Sequence, residues 1–202
     1  FRKVLNVGIP KFIQKGHNMR FEWNGKSESF IVLSPQLSTR YGVWQNFYVE
    51  ELIKYAKQNL NIDKDRIYLT GLSLGGGGTW DFASESLKNA KQLAAIVPIC
   101  GTCRMSNGGN IAKADLPVWA FHATNDGRVT VNCTKNAISN IKKSNPIVEP
   151  LVTLWPSGNH GIWDRVYDPN SEWANPNIYE WFLGQSRKMR PNKKPVAVGG
   201  PE

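Results

Sequence analysis

The 202-residue chain is 41% hydrophobic and 20% charged and carries eight Trp, eight Phe and six Tyr. That is enough apolar material for one folded domain, and it excludes disorder over most of the length. The net charge of +9 comes from 25 basic against 16 acidic residues; the basic residues are spread along the chain without a recognition motif, which sets nucleic-acid binding aside.

The chain begins at Phe1 without a methionine, which reads as a cut or processed end. Val4, Leu5, Val7, Ile9 and Phe12 suggest a helix that ends near Gly16 and is interrupted at Pro10. Phe30–Leu33 reads as a buried strand, followed by a helical pattern over about 44–59 and a strand at Ile67–Thr70. A helix is predicted over about 74–88, then strands at Ala95–Ile99 and Val118–His122. Thr130 or Asn132 would cap a helix over about 131–143; a strand at Val148–Leu154 and a helix at about 176–188 close the pattern. Strand alternating with helix predicts an α/β domain over 1–187, with a mostly parallel sheet and helices on both faces. Residues 188–202 are rich in Pro, Gly and Lys and read as a linker or tail. No apolar run approaches the roughly 20 residues of a bilayer-spanning helix, so membrane insertion is not expected.

Gly71-Leu72-Ser73-Leu74-Gly75 fits G-x-S-x-G and lies between the strand RIYLT and a glycine run that becomes a helix. Strand, sharp turn and helix are the context this motif requires. Residues two before and two after the serine crowd together in such a turn, which favours glycine at 71 and 75. The turn would raise the Ser73 hydroxyl above the carboxyl edge of the sheet, where the Leu74 N–H at the helix start could stabilise an oxyanion.

A serine needs a base, and the chain has three histidines. His17 precedes the serine near a helix end and reads as a solvated loop residue. His122 lies in the apolar strand VWAFH, where a satisfied structural histidine is the ordinary outcome. His160, in the loop SGNHGIW after a strand, is the candidate base. Among the acids between serine and histidine, Asp81 and Glu85 fall on the helix after Ser73, while Asp115 and Glu149 enter strands at the opposite edge. Asp126 alone follows the carboxyl end of a strand, so it is the candidate acid.

Cys100, Cys103 and Cys133 are too few for a disulfide scaffold or a four-cysteine zinc site, and no HExxH-type spacing is present; no metal or cofactor is expected. One bridge with one thiol left over fits, but the pairing stays open. Trp44, Trp155 and Trp163 gather on the presumed reactive side as candidate substrate-stacking residues.

The segments DKDRIYLTGLSLGGGGTWDFA, VPICG, LPVWAFHATNDGRV, GNHGIWDRVY and YEWFL, with IVLSPQ and YGVWQ ahead of them, resemble the α/β-hydrolase esterases often called predicted peptidases. These are related to dienelactone hydrolases, polyhydroxybutyrate depolymerases and feruloyl esterases. The likeness covers about 1–187. It implies a Ser73–Asp126–His160 triad that cleaves carboxylic esters through an acyl-enzyme, with acyl or feruloyl esters on polysaccharide as substrate class. Cys100 is usually structural at this position. Members of the group carry a strand ending in a His-Gly loop ahead of the first helix found here. The resemblance thus implies that N-terminal strands are missing, that the second oxyanion donor lies upstream of Phe1, and that this stretch alone is weakly active. NKKPVAVGGPE resembles linkers leading to immunoglobulin-like modules in secreted polysaccharide-degrading proteins, which implies further modules after residue 202 and a secreted or cell-envelope location. The rival expectations are a non-catalytic carbohydrate-binding or adhesion module on the same scaffold and a serine peptidase.

Overall fold

The computed structural model describes residues 3–171 and 173–191. In chain order it has helix α1 (Gly8–Gln14), strands β1 (Arg20–Trp23) and β2 (Lys26–Ser29), helix α2 (Phe47–Asn59), strand β3 (Tyr68–Leu72), helices α3 (Leu74–Glu85) and α4 (Leu87–Gln92), strand β4 (Ala95–Ile99), helix α5 (Gly108–Lys113), strand β5 (Trp119–Ala123), helix α6 (Asn132–Lys142), strand β6 (Leu151–Trp155), and helices α7 (Trp163–Tyr167) and α8 (Ile178–Leu183). Strands β3-β4-β5-β6 form one parallel sheet in sequence order, while β1 and β2 form a separate antiparallel hairpin.

Strand alternation divides the core in two. Ile96 and Ala120 face one layer with Trp80, Phe82 and Ala83 of α3, Ile111 of α5 and Ile138 and Ile141 of α6. Ala95, Val97, Ile99, Phe121 and Ala123 face the other, against Val166 and Tyr167 of α7 and Tyr179 and Phe182 of α8. Helices on both faces explain why β4 is buried at every position. Pro98 lies in this central strand and has no N–H to give. The β4–β5 ladder is accordingly thin: Ile96 N–H bonds Pro117 O, Cys100 N–H bonds Phe121 O, and the donor between them is missing.

Several expected boundaries shift. Phe30–Leu33 is not a strand. Phe30 and Val32 pack toward the core and Ile31 faces out, so the alternation is real, but Phe30 N–H to Met19 O extends the β1–β2 hairpin by one step only and no ladder forms beyond it. The first helix breaks at Val7 rather than Pro10. Pro10 sits in the first turn of α1, where its missing N–H would have had no partner anyway. The helix predicted over 74–88 divides at Ser86, which is extended and whose hydroxyl accepts from Asn89 N–H to cap α4. Neither Thr130 nor Asn132 is the N-cap of α6; that position is Val131, without a side-chain cap. Strand β6 starts only after Pro150, and α8 stops at Gly184. The predicted linker falls, from residue 192 onward, outside the described residues. Among those described, no helix is long and apolar enough to cross a membrane.

Candidate active site

Ser73 follows β3 directly and is the residue from which α3 starts, with φ 53° and ψ −117°, a conformation that costs a non-glycine residue strain. Its backbone is pinned from both sides: Ser73 N–H donates to Ile99 O at 2.9 Å, and Ser73 O accepts from Gly77 N–H at 3.0 Å and Thr102 N–H at 3.3 Å. A Cβ on Gly71 would land on the Gly75 carbonyl, so glycine is obligatory there. At Gly75 a Cβ would meet nothing nearer than Trp44 Nε1 at 3.7 Å, so the crowding expected at 75 comes from its backbone alone. The glycine run then lets α3 settle onto β4: a Cβ on Gly76 would sit 2.7 Å from Ile99 O and Gly101 Cα.

His160 lies in the short turn Asn159–Gly161 after β6, and Asp126 in the loop after β5. Both loops leave the carboxyl edge of the sheet, as Ser73 does, and the three side chains meet there. His160 Nε2 is 2.8 Å from Ser73 Oγ, and His160 Nδ1 is 2.7 Å from Asp126 Oδ2. The consistent proton assignment has Nδ1–H donating to the carboxylate, which leaves Nε2 to accept the serine hydroxyl. Asn125 and Asn159 tie the two loops together, Asn159 N–H donating to Asn125 Oδ1 and Asn125 Nδ2 to Asn159 Oδ1.

The Asp126 side chain is fully buried, yet it is well supplied with donors. Oδ1 accepts from Arg128 N–H at 2.8 Å and Val129 N–H at 2.9 Å. Burial by itself would raise its pKa. The bond from His160 and the two backbone donors outweigh burial and hold the carboxyl below its ordinary range. It is the charged partner a histidine base requires.

Leu74 is the first residue of α3, so its N–H has no intrahelical carbonyl to bond and points from the positive end of the helix. Trp44 packs its Cβ against Gly78 and its indole nitrogen near Gly75, beside the serine turn. The Trp163 ring lies 5.2 Å from that of His160, the two planes 88° apart. Trp155 is placed differently from expectation. Its ring packs with Phe121 and Trp173 and lies under the Arg165 guanidinium at 4.3 Å, so it belongs to the aromatic core and offers no free face to a ligand.

The sequence left the cysteine pairing open and did not foresee a second feature. Cys103 and Cys133 form a disulfide that joins the loop after β4 to the first turn of α6, and Cys100 is a buried free thiol. The Cys100 thiol, the Asp126 carboxylate and a His160 nitrogen lie within 4.8 Å of one another. This set is poorly suited to a cation: burial foremost pushes the thiol up to about 12, and the other two groups are bonded to each other. The second missed feature is His122, whose Nε2 lies 3.2 Å from Asp126 Oδ2. The spacing of four residues was visible in the sequence, but only the strand-to-loop bend brings the two side chains together.

The dienelactone hydrolase family model matches residues 27–182. The bifunctional acetylxylan esterase/xylanase XynS20E of Neocallimastix patriciarum is 26% identical over 170 residues, 81% of this chain and 23% of that protein, so the chain spans about a quarter of that relative's length. Among solved structures, a thermostable esterase superposes with a TM-score of 0.56 at 30% identity, over 69% of this chain and 36% of that one. An acetyl ester-xyloside bifunctional hydrolase from Caldicellulosiruptor lactoaceticus gives 0.52 at 17% identity, over 69% and 64%, a likeness of fold. The sheet and its flanking helices have the α/β-hydrolase arrangement.

Proposed function

The chain belongs to the dienelactone hydrolase family, and from that premise we propose that it is a serine esterase acting on acyl groups carried by polysaccharide. The observation that carries the reading is the unbroken hydrogen-bond chain from Ser73 Oγ through His160 to Asp126. His160 Nε2 takes the hydroxyl proton as Oγ attacks the ester carbonyl, and the Asp126 carboxylate stabilises the imidazolium that results. The oxyanion that develops lies against Leu74 N–H, where the dipole of α3 also favours negative charge. His160 then gives the proton to the leaving sugar oxygen, which departs as the hydroxyl. Water, deprotonated by the same ring, attacks the acyl carbonyl, and the proton passes to Ser73 Oγ as the C–O bond to the serine breaks and the acid leaves.

The substrate class rests on the likeness to the acetylxylan esterase/xylanase and on two half-buried aromatic side chains, Trp44 beside the serine turn and Trp163 against the His160 ring. The Cys103–Cys133 bridge supports a secreted or cell-envelope location, since such bridges persist in oxidising compartments. Turnover of p-nitrophenyl acetate and release of acetate from acetylated xylan test the reading. Both are expected from the native chain and neither from Ser73→Ala; equal rates for the two would overturn it. Retention on xylan without turnover would favour a binding module instead.

A further inference from the structure

His122 does more than fill the core. Its side chain is fully buried, and both ring nitrogens are engaged. Nε2 lies 3.0 Å from the Val129 carbonyl, which can only accept, so Nε2 carries the proton. Beside that bond, the same nitrogen lies 3.2 Å from Asp126 Oδ2, a close electrostatic contact. On the other side, Nδ1 lies 2.8 Å from Thr134 Oγ1, whose hydroxyl donates to it. Thr134 is anchored in turn, since it follows Cys133 of the disulfide at the start of α6.

Asp126 is thereby held by three hydrogen-bond donors and flanked by a fourth N–H group. Two backbone N–H groups hold Oδ1, His160 bonds Oδ2, and the His122 ring lies alongside Oδ2. A carboxylate surrounded in this way is restrained from rotating about its Cβ–Cγ bond and from drifting off the His160 ring. We propose that His122 is a positioning residue for the hydrolytic reaction: as a neutral ring protonated on Nε2, it fixes the orientation of Asp126 and draws part of the negative charge at Oδ2 away from His160. This rests on the reading of Ser73, His160 and Asp126 as the reacting set.

The titratable groups that bear on His122 are Asp126, on the loop after its own strand, and His160, on the loop after β6; from α6 it meets only the neutral Thr134. Desolvation is the dominant influence and lowers its pKa against the pull of the Val129 carbonyl and Asp126. The ring therefore stays neutral at working pH and leaves the charge of Asp126 uncancelled.

The test compares His122→Leu, His122→Gln and His122→Asn in the full chain by kcat and KM on p-nitrophenyl acetate across pH. The leucine variant is expected to lose about 10- to 100-fold in kcat at an unchanged KM. The acid limb of its kcat/KM profile is expected to move to higher pH, because Asp126 then interacts with His160 alone. The amide nitrogen of glutamine reaches the place of Nε2 and restores most of the rate. That of asparagine reaches only the place of Nδ1 and does not. A leucine variant that melts cooperatively yet keeps the native kcat and acid limb would overturn the proposal. So would an asparagine variant as active as the glutamine one, a comparison that holds even if leucine fails to fold. Failure of the underlying reading shows separately, as undiminished turnover by Ser73→Ala.

Discussion

A serine hydroxyl does not attack an ester near neutral pH unless a base is already placed to take its proton. The nitrogen proposed for that part, His160 Nε2, is 2.8 Å from Ser73 Oγ, and the Ser73 backbone is strained. Ser73→Ala and His160→Ala are each expected to lower kcat at least about 1,000-fold, and Asp126→Asn about 10,000-fold because the amide favours the wrong His160 tautomer. Steady-state kinetics on p-nitrophenyl acetate would measure all three. The two shifted groups beside the serine act on stability in different pH windows. The depressed carboxyl of Asp126 stabilises the fold at any pH above the ordinary value of 3.8, and that contribution is lost as pH falls through its folded value. His122 is depressed from 6.5, so the unfolded chain binds its proton first and the native state loses ground as pH drops below 6.5. The Tm of the native chain is therefore expected to fall between pH 7 and 5 more steeply than that of His122→Gln. Parallel curves would contradict the assignment.

At the scale of elements, the Cys103–Cys133 bridge ties the loop after β4 to the first turn of α6. It closes a segment of 30 residues, for which chain entropy predicts about 3–4 kcal/mol of stabilisation. Denaturant unfolding of the Cys103→Ser, Cys133→Ser double variant should show a loss of that order, with the folded variant still active. The strands that precede Ser73, Asp126 and His160 were legible because each lies in a short, largely apolar run followed by turn residues, and sites of this fold assemble just past such ends. Phe30–Leu33 has the same local alternation but forms no ladder beyond the single bond at Phe30, and alternation alone cannot report on that. Helix ends were missed where one polar side chain decides them, as at Ser86. The disulfide pairing depends on packing between distant elements, which no local signal announces, and the approach of His122 to Asp126 depends on the bend of the loop after β5, which the four-residue spacing alone does not report. Trp155 shows the opposite error: an aromatic at a strand end reads as a ligand platform until its faces are seen to be covered.

For the molecule as a whole, the net charge of +9 bears on which substrates it meets rather than on how it folds. A polysaccharide bearing acidic substituents would be attracted to this surface, whereas p-nitrophenyl acetate is neutral. KM for an acetylated glucuronoxylan is expected to rise several-fold between low salt and about 0.5 M NaCl, with KM for p-nitrophenyl acetate unchanged. Equal salt responses would remove charge as a factor in substrate choice. The decisive measurement remains local. Treating the chain with a fluorophosphonate and mapping the adduct by peptide mass spectrometry asks which hydroxyl is activated. A single adduct on the peptide containing Ser73, abolished in His160→Ala, is the result expected. Labelling elsewhere, or labelling of Ser73 that persists without His160, would contradict the central claim.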